Sequence, residues 1–195
     1  MYHKKIHIGF SSDGVAAGET DIVKYGIERD GKFEGIAYKN CIISHKMTAQ
    51  LLSHIPVPMR HKFVPLHMHI NRDIIPHIDS GVCTVINLYL KAGGYTTDFN
   101  KPKDGAKPFK LPNQTDGCAY QFEDVDTITS FVAEDGDAYI LDVTKLHSVH
   151  SGSEKDRIAV ALSTKLDFDS VCQMFETDKN AISDHLNPLH PTRGE

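Results

Sequence analysis

Two ionisable side chains, His77 and Asp79, stand one residue apart in the stretch IIPHIDSGVCTVINLYL, residues 74 to 90. Successive side chains of an extended chain point to opposite sides, so these two project from the same side. An imidazole and a carboxylate placed in this way can bind one metal ion together. They are equally compatible with a polar turn between two strands, and the pair alone leaves both interpretations open.

A second polar feature is the stretch LHSVHSGSEKDRIAVALST, which contains His147 and ends in a predicted strand opened by Arg157. On that strand Arg157 shares one face with two alanines and Ser163. Small neighbours leave room beside a guanidinium for a carboxylate to bind through paired hydrogen bonds. The alternative is an arginine that reaches solvent or pairs with Glu154 or Asp156.

Together the two stretches supply two imidazoles and one carboxylate, a ligand set that leaves positions open on Fe(II). The order H-x-D, a distal His, and an Arg ten positions beyond it resembles the Fe(II)- and 2-oxoglutarate-dependent dioxygenases. Within them, LHSVHSGSEKDRIAVAL is similar to the H-x-V-x-N…R segment of the aspartyl/asparaginyl β-hydroxylase-like group, which includes proline hydroxylases. Ser151 stands where that group usually has Asn.

The resemblance implies that His77, Asp79 and His147 are the catalytic residues that hold Fe(II). It also selects between the two histidines of the second stretch. His147 lies ten residues before Arg157, as the distal ligand of the family does, whereas His150 lies seven before it.

The resemblance further implies that 2-oxoglutarate is the co-substrate and molecular oxygen the oxidant. The far carboxylate of 2-oxoglutarate would then bind Arg157, with Tyr89, Asn87 or Ser163 as a helper. The implied reaction hydroxylates a substrate and releases succinate and CO2. Free amino acids, peptide side chains and small metabolites all remain open as substrates.

Three further histidines are candidates for substrate contact. His67 and His69 alternate along LHMHINRD, and His150 follows the predicted distal ligand. An H-x-H pair also begins the metal site of cupins, but the Glu that cupins usually place a few residues later is absent here. We expect His67 and His69 to line the polar side of a strand or the cavity wall, and His150 to face substrate or to be a solvated turn residue.

The elements that must position these residues are mostly strands. Short apolar runs alternate with turn clusters such as SSDG, RDGK and EDGD, a pattern typical of antiparallel sandwiches and barrels. With the resemblance, this predicts a mainly β fold, a double-stranded β-helix or jelly-roll, cupin-like barrel with a few flanking helices. Helices are expected over residues 45 to 55 and 169 to 179.

Three local expectations follow for the site. If residues 77 to 90 form one strand, Asn87 and Tyr89 fall on the same side as Asp79 and face a polar cavity. His147 and His150 are expected on a connector between two strands. Residues 100 to 116, which are rich in Pro, Gly and Lys, are expected to form a long loop and a candidate lid.

Length, composition and net charge limit the possible domain organisation and function. A chain of 195 residues with 40% hydrophobic composition suits a single domain. We expect a catalytic core over 60–165, N-terminal strands and a helix over 1–59, and a C-terminal helix and tail over 166–195. The net charge of -5 argues against nucleic acid as a partner. The charged N-terminus lacks an apolar run, which predicts no membrane span and a cytoplasmic protein.

Two alternatives remain at this point. One is a cupin-type metalloenzyme that uses His67 and His69. The other is a non-catalytic β-sandwich binding module in which the histidines are incidental. The four cysteines are dispersed and form no C-x-x-C pair, so neither a structural zinc site nor a dense disulfide framework is indicated.

Overall fold

The computed structural model describes residues 1–9, 19–29, 32–41, 43–110, 118–152 and 156–184, and of 19–41 and 177–184 the backbone alone. It contains thirteen strands, β1 to β13, and two α-helices within these residues. The strands are His3–Ile6, Glu19–Arg29, Lys32–Cys41, Phe63–Ile70, Ile74–His77, Thr84–Lys91, Thr96–Pro102, Phe109–Lys110, Cys118–Ala119, Val125–Val132, Ala138–Asp142, His147–His150 and Arg157–Thr164. The helices are α1 (His45–Ser53) and α2 (Phe168–Asp184), and short 3-10 helices span Val57–Lys62 and Phe122–Asp124.

The strands form two antiparallel sheets with the order β1-β11-β6-β13-β4-β3-β2 and β10-β7-β12-β5-β9-β8. From β4 onward the chain crosses from the larger to the smaller sheet and back, through β5, β6 and β7. After β10 it crosses again at β11, β12 and β13. Four strands of each sheet are thereby wound together as two interleaved antiparallel sets, which is the strand order of a jelly roll. The predicted mainly β, jelly-roll fold is confirmed.

Successive side chains of β6 and β13 point to opposite faces of the larger sheet. One face packs against the helices, and the other faces the space between the two sheets. On β6 and β13, Ile86, Leu88, Val160 and Leu162 pack outward against buried residues of both helices, including Met47 and Val171. Their neighbours along the same strands, such as Val85, Tyr89 and Ala161, pack inward between the sheets. Both faces of these two strands are therefore buried, and only the inward face is available to build a site.

The predicted helices are present with different ends. Helix α1 begins after Ser44, whose hydroxyl accepts a hydrogen bond from the Met47 amide at 3.2 Å, and it ends at Ser53, shortly before Pro56. Helix α2 extends to Asp184, beyond the expected residue 179. The predicted tail after residue 186 lies outside the described residues. None of the described helices is long and apolar enough to span a membrane.

Three of the local expectations need correction. Residues 77 to 90 are two strands of different sheets, since β5 ends at His77 and β6 begins at Thr84. The turn between them contains Gly81, whose φ of 75° lies in the left-handed region. The expected connector that carries His147 and His150 is itself strand β12, because it pairs with both β5 and β7.

The expected long loop over residues 100 to 116 is shorter in the structure. Strand β7 continues to Pro102, and Phe109–Lys110 form β8 at the edge of the smaller sheet. Residues 111 to 117 lie outside the described part of the chain. Lys103 donates to the Glu123 carbonyl at 2.7 Å, and Lys101 lies 3.9 Å from the Asp126 carboxylate.

Candidate metal centre

Three side chains from separate positions in the chain converge between the sheets. His77 is the last residue of β5, Asp79 follows in the turn, and His147 is the first residue of β12 and pairs with His77. One ligand atom from each residue lies within 4.8 Å of the other two. The distance between His77 Nε2 and Asp79 Oδ1 is 3.3 Å, and the two imidazole centroids are 4.3 Å apart. This cluster could hold a metal ion.

Main-chain carbonyl groups orient both imidazoles. His77 Nδ1 lies 2.8 Å from the Ile75 carbonyl oxygen, and His147 Nδ1 lies 2.9 Å from the Lys145 carbonyl oxygen. Because a carbonyl only accepts, each Nδ1 must carry the proton and donate it. When either ring is neutral, its Nε2 atom is then unprotonated and can bind a metal, the arrangement that orients histidine ligands in metalloproteins.

The electrostatics favour the ligand-competent form of two of these residues. Burial, with a smaller contribution from His77, lowers the pKa of His147 from 6.5 to about 4, so its imidazole is neutral at neutral pH. Burial raises the pKa of Asp79, but its 3.3 Å contact with His77 Nε2 and the proximity of His147 outweigh burial, so the net pKa is below its usual value. A neutral imidazole and an ionised carboxylate are the states that bind a divalent cation.

A buried cation lies in the same cavity. Arg157 is only 4% exposed, and its two terminal nitrogens donate to the Tyr89 hydroxyl at 2.7 Å and to Thr97 Oγ1 at 3.1 Å. The guanidinium also lies over the Tyr89 ring, 4.6 Å from its centroid. Its Nε has no hydrogen-bond partner, and no carboxylate in the described part of the chain pairs with it.

A cavity of about 220 Å³ contains both the three-residue cluster and Arg157 in its wall. Most of the remaining wall is apolar, with contributions from Leu66, Met68, Val85, Val143 and Val149, among others. Asn87 also lines it, and its Oδ1 is buried without a hydrogen-bond partner. The wall of one cavity thus contains the candidate metal centre, the Arg157 guanidinium without a carboxylate partner, and the Asn87 Oδ1 atom without a hydrogen-bond donor.

The three residues predicted to assist Arg157 lie at different distances from it. Tyr89 contacts the guanidinium directly, and Asn87 Nδ2 lies 3.5 Å from the Tyr89 hydroxyl. Ser163 lies six residues further along β13, about 20 Å from Arg157 at the usual rise per residue, and its hydroxyl donates to the Val64 carbonyl at 3.2 Å. The expectation that Ser163 assists Arg157 therefore needs correction, although Ser163 does line the cavity.

Thr97 was missed from the sequence. It lies on β7, where alternation directs Thr97 and Phe99 inward, and Thr97 is buried against Arg157. The alternation was a usable signal, but only after GYTTDFN had been identified as a strand. The two carbonyl groups that orient the imidazoles have no signal in the sequence, because every residue carries one.

His67 and His69 do not line the cavity. Their neighbours on β4, Leu66 and Met68, face it, so the two histidines project from the opposite face of the larger sheet. His69 Nε2 lies 2.7 Å from the Asp156 carboxylate. His67 is buried, and burial together with His69 lowers its pKa. The expected contact of this pair with substrate in the cavity is not supported by their position.

His150 also lies outside the cavity. It projects from the outer face of β12, where Nε2 is 3.1 Å from the Asp98 carboxylate and the ring is 4.5 Å from that of Phe122. Its side chain is 45% exposed. Of the two histidines on this strand, the structure therefore brings His147 to the cluster and leaves His150 on the surface.

Fold and site together define a jelly-roll protein with a candidate mononuclear metal centre inside the barrel. No family model and no curated protein matches the chain. Among solved structures it is similar to Escherichia coli ycfD, at 12% identity and a TM-score of 0.49, over 100% of this chain and 59% of that one.

Two further solved structures are similar. One, a ribosomal oxygenase YcfD of Escherichia coli, is 13% identical with a TM-score of 0.44, over 91% of this chain and 50% of that one. The other, a cupin 2 domain-containing protein from Halorhodospira halophila, is 11% identical with a TM-score of 0.33, over 88% and 99% of the two chains. The chain thus spans little more than half the length of the two YcfD chains. At these similarities, the fold assignment rests on the strand order itself.

Proposed function

We propose that this protein is an Fe(II)- and 2-oxoglutarate-dependent oxygenase that hydroxylates a small molecule or peptide side chain and releases succinate and CO2. The observation that carries the proposal is the shared cavity of the three-residue cluster and Arg157. A buried guanidinium without a carboxylate partner is costly unless a ligand supplies the anion. A metal centre beside such a cation suits a ligand that chelates metal at one end and carries a carboxylate at the other.

The residues present fit both groups. His77, Asp79 and His147 provide two nitrogen ligands and one oxygen ligand, the set found in Fe(II) oxygenases, which leaves positions open for co-substrate and molecular oxygen. The far carboxylate of 2-oxoglutarate would bind Arg157, whose Nε still lacks a partner. When bound, iron and 2-oxoglutarate supply the oxidising chemistry of the reaction.

The chain itself would contribute positioning and exclusion of water. The Ile75 and Lys145 carbonyl groups fix the two imidazoles, and Tyr89 and Thr97 fix the guanidinium. Both ends of the co-substrate would thus meet groups that are oriented before it binds. The apolar wall leaves few hydrogen-bonding groups for solvent around the reacting centre, which protects it from side reactions.

The proposal is tested by adding Fe(II) and 2-oxoglutarate to the metal-free protein without oxygen. A visible charge-transfer band requires both ligands in one ordered site, and we expect it in the natural protein but not in His147→Ala. Metal binding without the band would instead favour a cupin-type metalloenzyme. The absence of both would favour a non-catalytic binding module. Release of succinate across a panel of amino acids and peptides would then identify the substrate class.

A further inference from the structure

A second hollow, a groove of about 440 Å³, adjoins the cavity. It lies where the beginning of β4 and the end of β13 meet the turn between β5 and β6. Val82 and Ser163 line both the cavity and this groove, so the two spaces share a wall. Among the residues that line the groove are Lys62, Val64, Val82, Ser163, Lys165 and Leu166.

The groove lies at the end of the barrel opposite to the Arg157 guanidinium. Arg157 opens β13, whereas Ser163 and the residues after it close that strand. Main-chain hydrogen bonds hold the turn at this same end, from Cys83 N to the Thr164 carbonyl at 2.9 Å and from Asp79 N to the Val143 carbonyl at 3.2 Å. The turn that carries Asp79 therefore lies between the groove and the metal centre.

Two lysines line the groove just beyond the paired ends of β4 and β13. Thr164 pairs with Phe63, and Lys165 and Lys62 are the next residues of the two chains at this end. Both are exposed, no carboxylate lines the groove, and no ion pair of the described residues involves either one. Two unpaired lysines that line one groove repel each other, and an anion bound between them removes that repulsion.

The floor between the lysines and the cavity is apolar. Val64 is 61% exposed there, and Val82 and Leu166 lie beside it. A large aliphatic side chain this exposed beside two cations, in a protein with a net charge of -5, forms a local surface that is apolar and basic at once. Its chemical complement is a molecule with an apolar stem and an anionic end.

We propose that this groove binds a small organic anion, with its carboxylate or phosphate between Lys62 and Lys165 and its apolar stem along Val64 and Val82 towards the cavity. That this anion is the substrate rests on the proposed oxygenase function, whereas the binding site itself does not. The stem would reach the metal centre from the side of Asp79. The anionic end would not compete with 2-oxoglutarate, because Arg157 lies at the other end of β13.

The test uses the metal-free full chain and three probes with the same stem: octanoate, octyl phosphate and 1-octanol. Binding is measured by titration while the methyl resonances of Val64, Val82 and Leu166 are followed by NMR. We expect the two anions to bind more tightly than the alcohol and to shift these methyl groups. Lys62→Gln and Lys165→Gln should each weaken anion binding about three- to fivefold, as expected for exposed charges, and leave octanol binding unchanged.

Lys107→Gln is the matched control, because Lys107 is also exposed but lines neither the groove nor the cavity. It should leave anion binding unchanged. Tighter binding of octanoate or of octyl phosphate supports the proposal and identifies the preferred group. Equal affinity for octanol, or equal losses in Lys107→Gln and Lys62→Gln, would overturn it.

Anion binding and the charge-transfer band test the groove and the oxygenase function separately. Anion binding that depends on both lysines, without a charge-transfer band on addition of Fe(II) and 2-oxoglutarate, would retain the groove and reject the oxygenase. A band without lysine-dependent anion binding would retain the oxygenase and reject the groove. Far-UV circular dichroism of each variant verifies that the exposed substitutions leave the fold intact.

Discussion

At the level of single residues, hydrogen bonds orient the ligands of the candidate metal centre, and their surroundings set the protonation of His147 and Asp79. The hydrogen bonds from Nδ1 to the Ile75 and Lys145 carbonyl groups fix the tautomer and orientation of each imidazole. Burial keeps His147 neutral, and the neighbouring imidazoles keep Asp79 ionised. His147 and Asp79 are therefore in the states that bind a cation at neutral pH, and the two carbonyl groups orient both imidazoles before the cation binds.

The two histidines of β12 provide a matched comparison. His147→Ala removes a buried ligand and should lower Fe(II) affinity by at least about 100-fold, since even the loss of a residue that only orients a ligand costs 10- to 100-fold. His150→Ala removes a surface side chain paired with Asp98 and should change affinity less than about twofold. Fe(II) titration and succinate release measure both effects. The reverse order of losses would move the ligand assignment to His150.

Tyr89 is the best residue with which to test the role of Arg157. Tyr89→Phe keeps the ring beneath the guanidinium but removes the hydroxyl that accepts from Arg157 at 2.7 Å. Loss of one hydrogen bond to a charged group should raise the KM for 2-oxoglutarate about 10-fold or more. Fe(II) affinity should not change, because Tyr89 does not belong to the metal cluster.

Steady-state kinetics with 2-oxoglutarate and a separate Fe(II) titration check this prediction. Tyr120→Phe is the control, because Arg157 donates to Tyr89 and Thr97 and not to Tyr120, and it should leave both quantities unchanged. If Tyr89→Phe weakened Fe(II) and 2-oxoglutarate equally, the hydroxyl would have a structural role only.

At the level of elements, β6 and β13 build the cation site as a pair. Tyr89 stands opposite Ala159 in the register, and Asn87 stands opposite Ala161. Each large polar side chain of β6 therefore lies next to a methyl group of β13. The small residues leave the space that the Tyr89 ring and the Arg157 guanidinium fill together.

The entrance to β13 is fixed by a close approach of two turns. Gly93 has a φ of 65°, and a Cβ atom at this position would lie 2.3 Å from the Asp156 carbonyl oxygen. Gly93→Ala should therefore combine about 1–2 kcal/mol for the left-handed backbone with about 1–3 kcal/mol for the steric clash. Since Asp156 precedes Arg157, the substitution should also weaken 2-oxoglutarate binding.

Gly105→Ala is the control for Gly93→Ala. Gly105 has a similar φ of 80°, but no heavy atom lies within 4 Å of the position of an added Cβ. It should cost about 1–2 kcal/mol from the backbone alone, with no effect on the site. Denaturant unfolding of both variants measures the difference. Equal losses of stability would show that the turn at Gly93 adapts without strain.

At the level of the whole molecule, the jelly roll brings the site together from distant parts of the chain. β5 and β12 are neighbours although His77 and His147 are 70 residues apart, and β7 brings Thr97 to Arg157 across 60 residues. A site assembled in this way depends on global folding. Its ionisable groups should therefore influence the stability of the whole protein.

The lowered pKa of His147 has a defined consequence for stability in the metal-free protein. Between pH 6.5 and about 4 the unfolded chain binds a proton at His147 that the folded protein does not. The free energy of unfolding should therefore fall as the pH decreases through this window, by about 3 kcal/mol in total from this residue. Asp79, whose pKa is lowered from 3.8, stabilises the fold throughout this window and loses its contribution only as the pH falls below about 3.8.

Urea unfolding of the chelator-treated protein at several pH values measures this dependence. In His147→Gln the decrease between pH 6.5 and 4 should be smaller by about the same 3 kcal/mol. His45→Gln, at an exposed position of α1, is the control and should retain the full pH dependence. An unchanged pH dependence in His147→Gln would show that this imidazole is not the group responsible.

The positions of the strands were predicted from the sequence better than the residues at which they end and the way they connect. The apolar runs located most strands, because alternation is a local property of the chain. The division of residues 77 to 90 into β5 and β6 was missed, since Asp79, Val85 and Asn87 keep one alternation across this turn and all line the cavity. Asn87 and Tyr89 were for that reason expected on the correct side, although the single strand was wrong.

By itself, the sequence determined which side chains are available for chemistry and how they are spaced: His77 beside Asp79, and His147 ten residues before Arg157. Only the tertiary structure decided which partners these residues have. It placed Thr97 at Arg157, Ser163 at the far end of the cavity, and His67 and His69 on the opposite face of the sheet. The reason is physical, because the direction of a side chain along a strand is set locally, whereas its neighbours depend on the register and packing of strands distant in sequence.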